Sequence, residues 1–114
     1  MNAVWYAVSR WEEAKRFYGE LLGLKQTFCN DAAGWVAYDT GAVPLFLVRK
    51  PERAGLPGGA TVTLECPDLG ATEARLQAAG VRLEDGSQPK IRLLVAYDPD
   101  GNTIELSTLD QSSR

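Results

Sequence analysis

The chain contains no histidine. That absence removes imidazole as general base, proton shuttle and metal ligand. Ser-His-Asp and Cys-His hydrolysis go with it. Any metal would have to be held by carboxylates, carbonyls or thiols, and the thiols are Cys29 and Cys66 alone. Both sit among strand-like residues and read first as small buried hydrophobes of a reducing compartment, with a disulfide or a reactive thiol as the alternative. No apolar run approaches the roughly 20 residues that a membrane helix needs, so no membrane partner is expected. The start MNAVWYAVSR lacks a basic region followed by an apolar stretch. No secretory signal is therefore expected, and the expected location is cytoplasmic. No Lys/Arg cluster falls on any one element and the net charge is -3, which argues against nucleic acid as a partner.

What is present is a module written twice. Val36-Ala37-Tyr38-Asp39 returns 59 positions later as Val95-Ala96-Tyr97-Asp98. The alternating run Val4-x-Tyr6-x-Val8 returns at nearly the same offset as Val62-x-Leu64-x-Cys66. Each run leads into a helix-like stretch that ends at a glycine, Gly23 or Gly80. With 114 residues, 45% of them apolar and 24% charged, the chain is expected to form a single globular domain over residues 1–114. Module one covers 1–48, module two covers 60–110, and the Pro/Gly-rich stretch 49–59 links them.

In module one, residues 3–8 alternate as a half-buried strand. Ser9 and Glu12 have the spacing of a capping box. Ala14, Phe17, Tyr18, Leu21 and Leu22 then form one apolar helix face, closed by Gly23. The opposite face, with Glu12, Glu13, Lys15, Arg16 and Glu20, reads as solvated, and Trp11 as packing or interface. Strands are expected at about 24–30, 34–39 and 43–48. Module two repeats the plan, with a strand at 61–66, Asp68 as N-cap of a helix to about Ala79, and strands at about 81–84, 91–97 and 103–108. Asp98-Pro99-Asp100-Gly101-Asn102 reads as a tight hairpin turn. The fold class is thus α+β, built from two β-α-β-β-β modules.

Two stretches resemble signatures of the vicinal oxygen chelate superfamily, which includes glyoxalase, extradiol dioxygenases and the bleomycin- and fosfomycin-resistance proteins. These are Phe17-Tyr18-Gly19-Glu20-Leu21-Leu22-Gly23-Leu24 and Asp98-Pro99-Asp100-Gly101-Asn102-Thr103-Ile104-Glu105-Leu106. The resemblance spans essentially the whole chain. It implies a curled eight-stranded mixed sheet forming a cup, helices outside, and usually a homodimer. In metal-dependent members, ligands come from the first and last strands of each module. Here those positions hold Ala3, Phe46, Thr61 and Glu105. One carboxylate does not make a catalytic metal site, which needs about three protein ligands. No metal and no cofactor are expected.

Strand parity assigns faces once Glu105 is placed in the cup. Thr103 and Ser107 join it there, with Ile104 and Leu106 behind. Ala3, Trp5, Ala7, Phe46, Val48, Thr61, Thr63 and Glu65 then face the cup. Through the repeat, Val36, Tyr38, Val95 and Tyr97 join them, with both tyrosines near the rim, and Trp35 faces the helices. The candidate ligand-binding residues are therefore Trp5, Tyr38, Phe46, Thr61, Thr63, Glu65, Tyr97 and Glu105. Aromatic rings with two carboxylates suit a flat aromatic or cationic organic molecule. The expected function is metal-independent small-molecule binding. The alternatives are an enzyme using Glu105 or Glu65 as acid or base, and a non-catalytic interaction module whose cup is filled by Trp5 and Phe46.

Overall fold

The structure, a computed structural model, describes residues 3–54, 61–87, 89 and 92–108. Module one contains β1 (Val4–Val8), α1 (Trp11–Arg16), a wider π-helical turn (Phe17–Leu21), β2 (Lys25–Asn30), β3 (Trp35–Asp39) and β4 (Leu45–Arg49). A short 3-10 turn, Pro51–Arg53, opens the linker. The rest of the expected linker, from 55 to 59, lies outside the described residues. Module two contains β5 (Val62–Glu65), α2 (Leu69–Ala78), β6 (Leu83–Asp85), β7 (Leu93–Tyr97) and β8 (Thr103–Ser107). No helix among the described residues is long and apolar enough to cross a membrane.

Each module closes its own four-stranded mixed sheet, in the orders β1-β4-β3-β2 and β5-β8-β7-β6. The first and last strands pair in parallel, β1 with β4 and β5 with β8, and the other pairings are antiparallel. This corrects the expectation of a continuous eight-stranded sheet, because no backbone ladder joins the two sheets among the described residues. Side chains join them instead. The Tyr6 hydroxyl on β1 donates to the Thr103 carbonyl (2.9 Å) and accepts from the Val62 amide (2.8 Å). Tyr6 spans the seam, and burial pushes its pKa up to about 12.

The apolar helix face packs as its spacing predicts. Ala14, Phe17, Tyr18 and Leu22 are buried against Tyr6, Val8, Val36, Leu45 and Leu47 of the first sheet. The π-helical turn lets the Leu22 amide reach back to the Phe17 carbonyl at 2.9 Å. The capping box does not form, because no side chain caps α1. Ser9 is engaged elsewhere: its hydroxyl donates to Asp100, and the Ser9 amide donates to the same carboxylate at 2.9 Å. A carboxylate from module two thus sits at the positive N-terminal end of α1, where a negative charge is favoured. Asp68 caps α2 as expected, accepting from the Ala71 amide at 3.0 Å.

The turn after β7 ties the two modules together. Asp98 is 4% exposed. Its Oδ2 accepts from the Tyr18 hydroxyl (2.8 Å) and from Asn102 Nδ2 (2.9 Å). Its Oδ1 accepts from the amides of Asp100 (3.0 Å) and Asn102 (2.8 Å). Asn102 Nδ2 also donates to the Ala7 carbonyl on β1 at 3.0 Å. Burial raises the Asp98 carboxyl above its ordinary pKa, and these donors pull it part of the way back.

Gly101 closes this turn at φ +91°, and a Cβ added there would meet no atom within 4 Å. The backbone conformation alone therefore sets the cost of a side chain. Gly101→Val is expected to destabilise the protein by about 1–3 kcal/mol. A chemical denaturation curve should show a lower midpoint at an unchanged slope; an unmoved midpoint would mean that Gly101 does not need its positive φ.

Candidate functional site

The outer face of the first sheet, away from the helices, carries one aromatic ring on each strand. Trp5 stands on β1, Phe46 on β4, Trp35 on β3 and Phe28 on β2. Trp5 and Phe46 are register partners. Trp35 stacks on Phe46 with centroids 5.6 Å apart, and Phe28 stacks on Trp35 at 4.4 Å. This floor is open: Trp5 is 45% exposed and Phe28 44%. At one end, Ala3, Trp5, Phe46, Val48 and Lys50 line a groove of about 290 Å³. That volume is close to the lower end of small-molecule sites, roughly 300–1,000 Å³. Alternation along β4 puts Phe46 and Val48 on this face and, continuing past its end, Lys50.

The other predicted site residues are not gathered here. Thr63 and Glu105 face the same side of the second sheet, where the Thr63 hydroxyl donates to Glu105 Oε1 at 2.8 Å. Thr61 and Glu65 are exposed at the two ends of β5. Tyr97 is on the Glu105 face, as expected, since its register partner is Thr103. Its hydroxyl donates to Glu84 Oε1 at 2.8 Å, while the Arg82 guanidinium covers its ring at 4.0 Å. Those two partners hold the Glu84 carboxyl below its ordinary pKa, with the tyrosine bond the larger cause.

Tyr38 and Trp35 are corrections. Tyr38 is 1% exposed, close to the Tyr18 ring at 6.1 Å, with its hydroxyl donating to the Lys15 carbonyl at 3.3 Å. Burial pushes its pKa up to about 12. It lies in the core, with Val36, and Trp35 takes the outer face. The physical reason is one residue of hairpin length. Phe46 pairs with Ala37, whereas its counterpart Glu105 pairs with Val95. Ala37 and Val95 are 58 positions apart, Phe46 and Glu105 are 59, so the second hairpin carries one more residue. The repeated tetrapeptide is therefore one residue out of structural register. Counting strand and hairpin lengths separately in each module could have placed Trp35 and Phe28 on the floor.

Trp11, read as packing or interface, is buried. Its Nε1 donates to Asp31 Oδ1 at 2.7 Å, and Lys15 Nζ reaches the same oxygen at 2.7 Å. Those contacts, the lysine first, lower the Asp31 carboxyl to about 2. A larger hollow of about 560 Å³ lies between α1 and the Asp98–Asn102 turn. Its arginines Arg10, Arg16 and Arg82 are each beside a glutamate, at 3.9, 3.7 and 2.9 Å. These neighbouring carboxylates offset part of the positive charge facing the hollow.

Two mixed sheets, each a β-α-β-β-β unit with parallel first and last strands, match the fold that the sequence signatures imply. A profile of the glyoxalase/bleomycin resistance protein/dioxygenase superfamily matches residues 1–106. The chain belongs to this superfamily. Solved structures of the same fold include a glyoxylase/bleomycin resistance protein/dioxygenase domain from Frankia, 20% identical, with 94% of each chain covered and a TM-score of 0.75. A fosfomycin resistance protein from Mesorhizobium loti is 15% identical, with 100% of this chain and 94% of that one covered and a TM-score of 0.75. A bleomycin-binding protein in complex with bleomycin is 20% identical, with 94% and 96% covered and a TM-score of 0.66. No curated protein matches the sequence.

The superfamily includes metal-dependent members, whose ligand positions correspond here to Ala3, Phe46, Thr61 and Glu105. Ala3 and Phe46 offer no donor, and Thr61 offers a neutral hydroxyl. Glu105 already accepts from Thr63. No group of three or more Cys, Asp or Glu among the described residues could hold a metal ion. The residues present do not fit a superfamily metal centre, and no step through a metal follows from them.

Proposed function

We propose that this superfamily member binds a small, flat aromatic molecule on the floor made by Trp5, Phe46, Trp35 and Phe28, without a metal. The observation that carries this reading is the open groove beside Trp5, a large apolar side chain left 45% exposed. Folding buries such surface wherever it can, gaining about 25 cal/mol per Å². Exposed aromatic patches mark binding surfaces. The solved bleomycin complex supports the reading, because a protein of this fold holds an organic molecule. The expected cationic preference rested on Glu65 and Glu105 standing among the rings. Neither lines the groove. The same placement means that neither carboxylate could act as acid or base on a molecule held in this groove. A symmetric homodimer belongs to the proposal. β2 and β6 each end a sheet, and unpaired sheet edges favour association.

The test is equilibrium dialysis against 2-naphthamide, with and without EDTA, alongside elemental analysis of protein purified without chelators. Saturable binding of intact naphthamide is expected, with the same Kd in both buffers and transition metal far below stoichiometric. Stoichiometric zinc, nickel or iron, or binding abolished by EDTA, would contradict metal independence. Absence of saturable binding would contradict the binder and favour the interaction module.

A further inference from the structure

The groove has a sign. Among the described residues its lining includes one ionisable side chain, Lys50, and no carboxylate. A second cation stands beside it: the Arg53 guanidinium lies 5.7 Å from the centroid of the Trp5 ring. Neither Lys50 nor Arg53 belongs to an ion pair among the described residues. Arg10, Arg16, Arg82, Arg92 and Lys15 are paired with carboxylates, whereas Lys25, Arg49 and Arg75 also lack an ion pair among the described residues but do not line the groove. Backbone hydrogen bonds fix the segment that carries both cations. The Lys50 amide donates to the Val8 carbonyl at the end of β1 (3.1 Å), and the Arg53 amide donates to the Lys50 carbonyl (2.9 Å). The backbone of the turn Pro51–Arg53 is thereby tied to the end of β1. Glu52, on the same turn, is exposed and does not line the groove.

Rings supply stacking area but discriminate little between ligands of different charge. Cations beside that surface do discriminate, by a modest factor where they are exposed as Lys50 and Arg53 are. We infer that the ligand of this site is an aromatic anion, a flat ring system bearing a carboxylate or sulfonate, with the ring on Trp5 and Phe46 and the anion between Lys50 and Arg53. This rests on the binding reading above and adds the ligand's charge. A guanidinium is well suited to the task, since its planar fork matches a carboxylate and also stacks on an aromatic face.

The experiment compares three probes of one ring: 2-naphthoate, 2-naphthamide and 2-naphthylmethylammonium, by equilibrium dialysis at low salt. Naphthoate should bind about 3–10-fold tighter than naphthamide, and the ammonium more weakly than either. The preference should appear despite the protein's net charge of -3, which acts against it. In the Lys50→Gln/Arg53→Gln double variant the naphthoate-to-naphthamide ratio should fall to about one. In Lys50→Arg/Arg53→Lys, which keeps both charges, the ratio should survive. If naphthamide binds as tightly as naphthoate, or the ammonium binds best, the inference is overturned and the binding site stands. A naphthoate preference that persists in the glutamine variant overturns the assignment to Lys50 and Arg53. If none of the three binds, both the site and the inference fall.

Discussion

Replacing Asp98 by alanine is expected to destabilise the protein by about 3–4 kcal/mol, enough to lower Tm by roughly 10–20 °C. The carboxylate is buried and satisfies four donors: the Tyr18 hydroxyl, the amides of Asp100 and Asn102, and Asn102 Nδ2. Removing the acceptor leaves those donors short of partners, and each buried one costs about 1–3 kcal/mol if nothing replaces it. The loss also travels. Tyr18 stands in the ring cluster with Tyr6, Phe17 and Tyr38, and Asn102 holds the Ala7 carbonyl across the module seam. Asp39 is the control, since the repeated tetrapeptide pairs it with Asp98. It is exposed and its carboxylate accepts from the Gly41 amide at 2.7 Å. Asp39→Ala should cost about 1 kcal/mol or less. Denaturation of the two variants side by side checks this, and equal costs would show that Asp98 is not the tie between modules.

Trp5→Ala should weaken naphthamide binding about 5–30-fold, equivalent to roughly 1–2 kcal/mol, while costing less stability than the roughly 3–5 kcal/mol of a core tryptophan. A ring stacked on a ligand contributes its buried area and a further aromatic-pair term of about 0.5–1.5 kcal/mol. The stability cost should stay below that of a core tryptophan because Trp5 is 45% exposed and only part of its area is buried on folding. Tyr6, the next residue, has the opposite profile, at 4% exposed. Alternation along β1 thus separates a ligand residue from a structural one, and Glu105→Gln provides the comparison at the second sheet. That variant should leave naphthamide affinity within about 2-fold, since Glu105 lies outside the groove. An affinity lost in Glu105→Gln and kept in Trp5→Ala would move the site to the other module.

Much of the fold was legible because it is written in short-range chemistry. The period-2 runs, the apolar spacing at Ala14, Phe17, Tyr18, Leu21 and Leu22, the Asp68 cap and the Asp98–Asn102 turn each follow from local rules, and the structure holds all of them. What sequence did not show depends on long-range partners. Ser9 looked like a cap for its own helix, and Asp100, 91 residues away, takes it instead. The seam at Tyr6 needed the relative placement of two sheets. The site was legible in part. Trp5 and Phe46 share a face because strand parity is strict within a strand. Parity was then carried from one module to the other through a tetrapeptide identity, and one extra hairpin residue reversed it. A slip of one residue in a strand exchanges its two faces. That moved Tyr38 into the core and brought Trp35 out. Lys50 and Arg53 were passed over because the Pro/Gly-rich stretch around them read as a connector.

A crystal structure of the protein grown with 2-naphthamide and EDTA tests the central claim most directly. Ring density should lie against Trp5 and Phe46, near Lys50, with no metal at Glu105. Ring density beside Thr63 and Glu105, or Trp5 and Phe46 closed on each other with the ligand excluded, would contradict it.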